Sequence, residues 1–191
     1  MKPFVATFLL ALYLPVPFYM LWIHAGDRLW KRIGPASYAL HWALYIGMVT
    51  AVIRLHDAWG LGAWEWPAGL TWLGLFPLAL AAWLAWRTYA TIHWRTLLGF
   101  RQISPDGDRR LIREGILGTI RHPRYVMFTL LAIGNVMVTG YPLVVVSLIV
   151  TAAVFAVVIH LEEKELRAFF GEKFETYRRD VPAFVPRITR R

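Results

Sequence analysis

The sequence predicts an all-α membrane protein: five transmembrane helices and a cytosolic amphipathic C-terminal helix. Three observations carry this. Apolar residues make up 58% of the 191 positions, and the mean hydropathy is +0.47. Apolar blocks near the ~20 residues that a helical span needs recur along the chain. Basic residues also cluster in alternate loops, which is how a multispanning protein distributes lysine and arginine. The polar stretches between blocks are too short to build a separate soluble core. Residues 1–191 therefore read as one integral membrane domain. Within it, 1–90 hold three spans, and 91–191 hold a loop, a helical hairpin and the C-terminal helix.

The first span runs from about Phe4 to Ile23, the second from Ala36 to Ile53 and the third from Gly69 to Trp86. Met1-Lys2-Pro3 leads into the first block with no small-x-small cleavage site, so that block reads as a retained helix. The fourth span covers Tyr125–Thr139 and the fifth Pro142–His160. Gly140-Tyr141-Pro142 between them is a turn signal. A single helix from Tyr125 to His160 would reach ~54 Å, too long for one crossing.

Charge supports the count of five. The Gly26–Pro35 loop, the Arg87–Arg124 loop and the C-terminus carry 3, 8 and 8 Lys and Arg, which is 19 of the chain's 21. Five spans place all three on one side, leaving Lys2 and Arg54 opposite. Four spans would divide the basic residues almost evenly. The positive-inside rule then puts the N-terminus outside and the C-terminus in the cytosol. The expected location is the cytoplasmic membrane of a bacterium or archaeon. The net charge of +9 reflects this topology, and no nucleic acid partner is expected. Trp22, Trp30, Trp59, Trp64, Trp66, Trp86 and Trp94 fall near span ends, where an aromatic belt belongs.

Beyond His160, Leu166, Phe169, Phe170, Phe174, Tyr177 and Val181 recur at helical spacing among lysines and arginines. This pattern predicts the amphipathic helix. Val181-Pro182 ends it, and Pro186 keeps the tail extended.

The residues that carry chemistry gather at the cytosolic ends of the last two spans. Arg121, His122 and Arg124 precede the fourth; His160, Glu162 and Glu163 follow the fifth. A tight hairpin makes these helices antiparallel neighbours, so the two groups converge. Pro123 suits a helix N-terminus, where free amides and the dipole favour an anion. An anion site beside a carboxylate site suits a zwitterion such as S-adenosylmethionine; phospholipid headgroups and dinucleotides also fit. Ionisable groups at such a place suggest function by default. The alternatives are snorkelling for Arg121 and Arg124, helix-end capping for His122 and His160, and a solvated helix start for Glu162-Glu163.

Other chemistries have less support. The chain has no cysteine, which removes disulfides, thiolate metal sites and thiol nucleophiles. His24, His41, His56 and His93 lack metal-ligand spacing, so no metal is expected; His41 reads as a hydrogen-bonded structural residue. Gly134 and Gly140 read as packing and turn residues. No Gly-x-Gly-x-x-Gly or Walker motif occurs.

Several linked motifs agree in order and spacing across Leu111–Pro186. They are Gly115, then Arg121-His122-Pro123-x-Tyr125, an apolar hairpin, Glu162-Glu163-x-x-Leu166, Phe170-Gly171-x-x-Phe174-x-x-Tyr177, and Val181-Pro182-x-x-x-Pro186. In these the chain resembles the isoprenylcysteine carboxyl methyltransferase and phospholipid methyltransferase families of integral membrane enzymes. The resemblance implies an S-adenosylmethionine-dependent methyltransferase acting on a lipophilic acceptor that reaches the site sideways from the membrane lipids. It implies cofactor contacts from His122, Pro123, Tyr125, Glu162 and Glu163. Catalytic or supporting roles fall to Arg121, Glu163 and His160, the last as a base for a thiol or amine acceptor. A carboxylate acceptor would need no base, only an orienting arginine.

The chain departs from the family pattern at Gly115-Ile116-Leu117-Gly118, where Gly-Pro-Tyr-Arg is frequent. It departs also at Phe174, where tyrosine is usual, and at His160, where arginine is common. Prenylcysteine carboxylates, phospholipid amines, isoprenoids and small thiols all remain open as acceptors, and the oligomeric state is open too. An NADPH-dependent membrane reductase of related fold, or a non-enzymatic lipid-binding protein, is the alternative.

Overall fold

The computed structural model describes residues 1–59, 62, 64–92 and 110–187, with the side chains of Asp27 and Trp59 left aside. His93, Trp94 and the middle of the basic loop lie outside the described residues. Among the described residues the secondary structure is helical throughout.

The predicted first span is two helices, α1 (Lys2–Tyr13) and α2 (Pro15–Ala25). Pro15 and Pro17 have no amide to give the carbonyls of Ala11 and Tyr13, so the helix bends there. α3 (Asp27–Ile33) leads through a 3₁₀ turn into α4 (Ser37–Arg54), which matches the predicted second span closely. A short α5 (His56–Trp59) follows. The third span also divides, into α6 (Ala68–Leu73) and α7 (Leu75–Thr91). Pro77 leaves the Leu73 carbonyl without its partner, and the break falls directly after that residue.

α8 (Pro123–Thr139) and α9 (Pro142–Phe170) form the predicted hairpin. Gly140 turns it in the left-handed region, at φ 72°. Trp64 donates its amide to the Gly140 carbonyl at 2.8 Å, and Trp66 Nε1 donates to the Val136 carbonyl at 3.2 Å. Two tryptophans thus close the turn.

The end of the fifth span departs from expectation. α9 does not stop at His160 but continues to Phe170, 29 residues in all. Glu, Lys, Leu and Arg are strong helix formers, and no glycine or proline intervenes before Gly171. Glu162 and Glu163 therefore lie inside a continuous helix and not at the start of a new one. The predicted single amphipathic helix is correspondingly two pieces. Gly171, at φ 52°, breaks the chain, and α10 (Glu172–Asp180) follows in a new direction. Phe174, Tyr177 and Val181 are buried there against Leu111, Leu166 and Phe170.

Among the described residues, four helical segments are long and apolar enough to cross a bilayer: Lys2–Ala25, Arg28–Arg54, Ala68–Thr91 and Pro142–Phe170. α8, at 17 residues, is a shorter apolar helix. It sits at the centre, packed on α1, α6, α7 and α9. A Cβ at Gly134 would lie 2.5 Å from Leu78, so α7 and α8 approach closely through that glycine. Large apolar side chains cover the outside: Trp72 is 72% exposed, Phe76 71% and Ile149 63%. Surfaces of that kind suit lipid and not water.

Inside, Tyr13, Ser147, Asn135 and Thr139 form a buried polar seam. Ser147 gives its proton to the Val144 carbonyl, so Tyr13 donates to Ser147 at 2.6 Å. Asn135 donates to the Ala6 carbonyl at 3.1 Å. His41 is buried and its Nδ1 donates to the Ser37 carbonyl at 2.6 Å, the structural role expected of it.

Candidate functional site

The site is built where α8 begins and the apolar run of α9 gives way to charged residues. His122 occupies the N-cap position of α8, with Pro123 at its first turn, yet its side chain caps nothing. The ring turns instead toward α9, where Nε2–H donates to Glu163 Oε1 at 2.9 Å. Its Nδ1 lies 3.8 Å from Glu162 Oε2. The same Glu163 oxygen accepts from Arg121 Nη2 at 2.9 Å, and Arg178 Nε stands 3.5 Å from the other oxygen. Three cation-forming side chains thus converge on one carboxylate. Each of the inner three is well covered: side-chain exposure is 10% for Arg121, 4% for His122 and 15% for Glu163.

Arg121 also fastens the C-terminal segment. Its Nη1 donates to the carbonyls of Arg178, at 2.9 Å, and Val181, at 2.6 Å. The backbone repeats the attachment: the amides of Arg121 and His122 donate to the carbonyls of Pro182 and Ala183 at 2.9 and 3.0 Å. Tyr177 adds a third tie, its hydroxyl donating to the Leu117 carbonyl at 2.7 Å. Burial pushes the Tyr177 hydroxyl up to about 12, so it keeps its proton and remains a donor at physiological pH. Arg113 lies 5.4 Å from the Tyr177 ring and donates to the Lys173 carbonyl.

A cavity of about 180 Å³ opens beside this cluster. Arg121, His122, Pro123, Arg124, Tyr125 and Glu162 line its polar side. Leu111, Ile112, Leu117, Leu166 and Phe170 form the apolar side. Tyr125 donates its hydroxyl to Glu162 Oε2 at 2.7 Å, which fixes both side chains in the wall. Arg110 and Arg124 add two guanidinium groups on the same cavity.

The residues singled out from sequence are not equally placed. Arg121, His122, Pro123, Tyr125 and Glu162 come together on the cavity. Glu163 does not line it; it stands behind, holding Arg121 and His122 in position. His160 is exposed and lines neither this cavity nor the apolar groove beside it. The helix that carries it turns about 100° per residue, so two positions separate His160 from the face of Glu162.

Two residues were missed. His24, buried on α2, donates Nδ1–H to Glu165 at 3.0 Å and ties α2 to α9. The available signal was Glu165 itself, three residues after Glu162 and so on the same helix face. Tyr177 had been noted as part of a motif, but its bond to Leu117 depends on tertiary geometry. Among the described residues, no three His, Asp or Glu side chains group as metal ligands.

The family profile for phospholipid methyltransferases matches residues 70–173, more than half of the chain. A protein-S-isoprenylcysteine O-methyltransferase from Schizosaccharomyces pombe is 37% identical over 82 residues, 42% of this chain and 35% of that protein. A methanethiol S-methyltransferase from Crocosphaera subtropica is 45% identical over 69 residues, 36% of this chain and 26% of that protein. A protein-S-isoprenylcysteine O-methyltransferase B from Arabidopsis thaliana is 30% identical over 86 residues, 44% of each chain. The matched stretch thus spans less than half the length of these relatives. No solved structure gives a significant match. The family match covers both α8 and α9, which carry the cluster, and on that ground the chain belongs to the phospholipid methyltransferase family.

Proposed function

We propose that this protein transfers a methyl group from S-adenosylmethionine to a lipophilic acceptor at the cytosolic face of the membrane. One observation carries the reading: His122, Tyr125 and Glu162 share a polar cavity that adjoins an apolar groove across Tyr125. The donor set suits the cofactor's zwitterion. Arg110 and Arg124 present cations for a carboxylate, Glu162 an anion for an ammonium or sulfonium, and Leu117 and Phe170 an apolar surface for a purine. The described walls enclose about 180 Å³, below the ~300 Å³ at the lower end for ligand pockets.

S-adenosylmethionine supplies, when bound, a methyl group on a cationic sulfur that an in-line nucleophile displaces. The protein's own part is alignment and exclusion of water. Glu163 orients Arg121 and His122. Arg121 holds the C-terminal segment over the cavity. Tyr125 orients Glu162. For a thiol or amine acceptor, Glu162 takes the proton in place of the exposed His160; for a carboxylate, Arg124 orients the acceptor.

The binding test uses purified protein in detergent. His122→Ala and Glu162→Gln are expected to weaken S-adenosylhomocysteine affinity about tenfold or more by calorimetry, the loss of one charge-assisted contact. Glu162→Gln should keep the parent's melting temperature within a few degrees; His122→Ala, which also loses its bond to Glu163, should melt lower but remain folded. Unchanged affinity in both would remove the site assignment. Transfer of labelled methyl from S-adenosylmethionine into a host lipid extract identifies the acceptor.

The same reading takes α8 as a fifth span, with the N-terminus outside, the C-terminus cytosolic and α10 along the cytosolic interface. At 1.5 Å per residue α8 reaches about 26 Å, close to the bilayer's apolar thickness. The absence of native cysteine makes the topology directly testable. A cysteine at Lys2 should react with an impermeant maleimide in intact cells, and one at Arg187 only after lysis. Labelling of both from one side would mean an even number of spans.

A further inference from the structure

An apolar groove of about 370 Å³ runs between α8 and α9, beside the polar cavity. Val126, Thr129 and Leu130 form one wall, and Ala152, Phe155, Ala156 and Ile159 the other. The opposing spacings are those of two helix faces. From Ala152 to Ile159 the groove extends about 10 Å along α9. Thr129 is its one hydroxyl besides Tyr125, and Thr129 gives its proton to the Tyr125 carbonyl. The walls therefore offer hydrocarbon contact and no donor to a headgroup.

Two features join the groove to the polar site. Tyr125 lines both, with its hydroxyl on Glu162 and its ring 4.8 Å from that of Phe155. Phe184, from the tail that Arg121 and His122 hold, closes the upper end with its ring 5.9 Å from that of His122. A chain lying in the groove would put its polar end at Tyr125. The space exists because α9 presents alanine at 152 and 156, one turn apart, alongside Phe155 and Ile159. A larger side chain at either would fill it.

We propose that this groove holds the apolar part of the methyl acceptor, and that Ala152 and Ala156 set the length it accepts. Ala152 bounds the deep end and Ala156 the middle. The inference rests on the methyl-transfer reading for the identity of the occupant, not for the existence of a chain-binding groove.

Ala152→Phe closes the deep end, and Leu130→Trp narrows the same end from the facing helix. The probes are n-alkanethiols from ethanethiol to hexadecanethiol and N-acetyl-S-prenylcysteines from prenyl to farnesyl, assayed by labelled methyl transfer. Each variant should lose about tenfold or more in kcat/KM for the longest probes while the shortest keep the parent's value. S-adenosylhomocysteine affinity should stay unchanged, which reports an intact cofactor site. A loss equal at all lengths, or no loss, overturns the proposal.

A second readout does not depend on turnover. A hexadecyl chain bearing a terminal diazirine should crosslink to residues 126–130 and 152–159 of the parent, and much less to Ala152→Phe. Adducts there without methylation of any probe would keep the groove and refute the methyl-transfer reading. Adducts spread over the lipid-facing surface would refute the groove.

Discussion

Glu163→Ala is expected to cost about 3 kcal/mol of stability and to abolish S-adenosylhomocysteine binding, although Glu163 does not line the cavity. The reason is that one carboxylate serves several donors. Arg121 and His122 both donate to Oε1, and Arg178 approaches Oε2. Removing a covered carboxylate leaves the Arg121 guanidinium without its counter-charge and His122 without its acceptor, and such losses run to several kcal/mol. The damage should also spread along the chain. Arg121 anchors the carbonyls of Arg178 and Val181, so a displaced guanidinium removes two of the bonds holding the segment that bears Tyr177 and Phe184 and leaves the backbone and Tyr177 ties. Denaturant unfolding in detergent measures the stability, and calorimetry the affinity. Glu163→Gln keeps the shape and one acceptor, and should fall between parent and alanine variant. A double-mutant cycle with His122→Ala should return a coupling of about 1–3 kcal/mol. Parent-like melting and binding in Glu163→Ala would show that the cluster neither holds the fold nor the cofactor.

Gly140→Ala should be the most damaging single methyl in the apolar region, at about 3 kcal/mol. Gly140 sits at φ 72°, where an L side chain is strained. A Cβ there would lie 2.5 Å from the Trp66 ring and 2.7 Å from the Trp64 carbonyl oxygen. The Trp66 ring can shift, but it donates to Val136; the Trp64 backbone is held by its own bond to Gly140. The strain and the clash therefore add at one position. The expected result is a lower melting temperature and reduced yield, with weakened binding at the distant site because α8 and α9 lose their relative register. Melting within a degree of the parent would show that the turn relaxes freely. Gly171→Ala is the matched control: φ is also positive, at 52°, but no atom lies within 4 Å of the added carbon. It should show the strain without the clash.

Much of this architecture is legible in the chain itself, because hydrophobic runs and proline are local signals. The Gly140-Tyr141-Pro142 turn, the suitability of Pro123 for a helix N-terminus and the second span, expected over Ala36–Ile53 and found as Ser37–Arg54, follow from such signals. So does the convergence of Arg121-His122 with Glu162-Glu163, since a tight hairpin leaves the helix ends no other arrangement. Bends were harder to place. Pro15, Pro17 and Pro77 were visible, but the span pattern absorbed them, and the breaks after Tyr13 and Leu73 came from individual carbonyls losing donors. The extension of α9 to Phe170 was hidden for a different reason. A charged amphipathic stretch after a span looks like a new helix when the same backbone simply continues beyond the apolar layer.

What the sequence by itself determined is the class of protein, the hairpin and the set of residues that meet at its charged end. Periodicity and charge are one-dimensional, and they suffice for those. Only the tertiary structure decided where each of those residues stands. It set Glu163 behind the wall and Glu162 in it, turned His160 outward, and brought in His24 and Tyr177 from distant parts of the chain. It also showed that alanines at 152 and 156 leave a groove against α8. These outcomes depend on the rotation of each helix about its axis and on packing across more than a hundred residues of sequence. Neither is recorded in local pattern, because a rotation of one residue exchanges the faces without changing the composition.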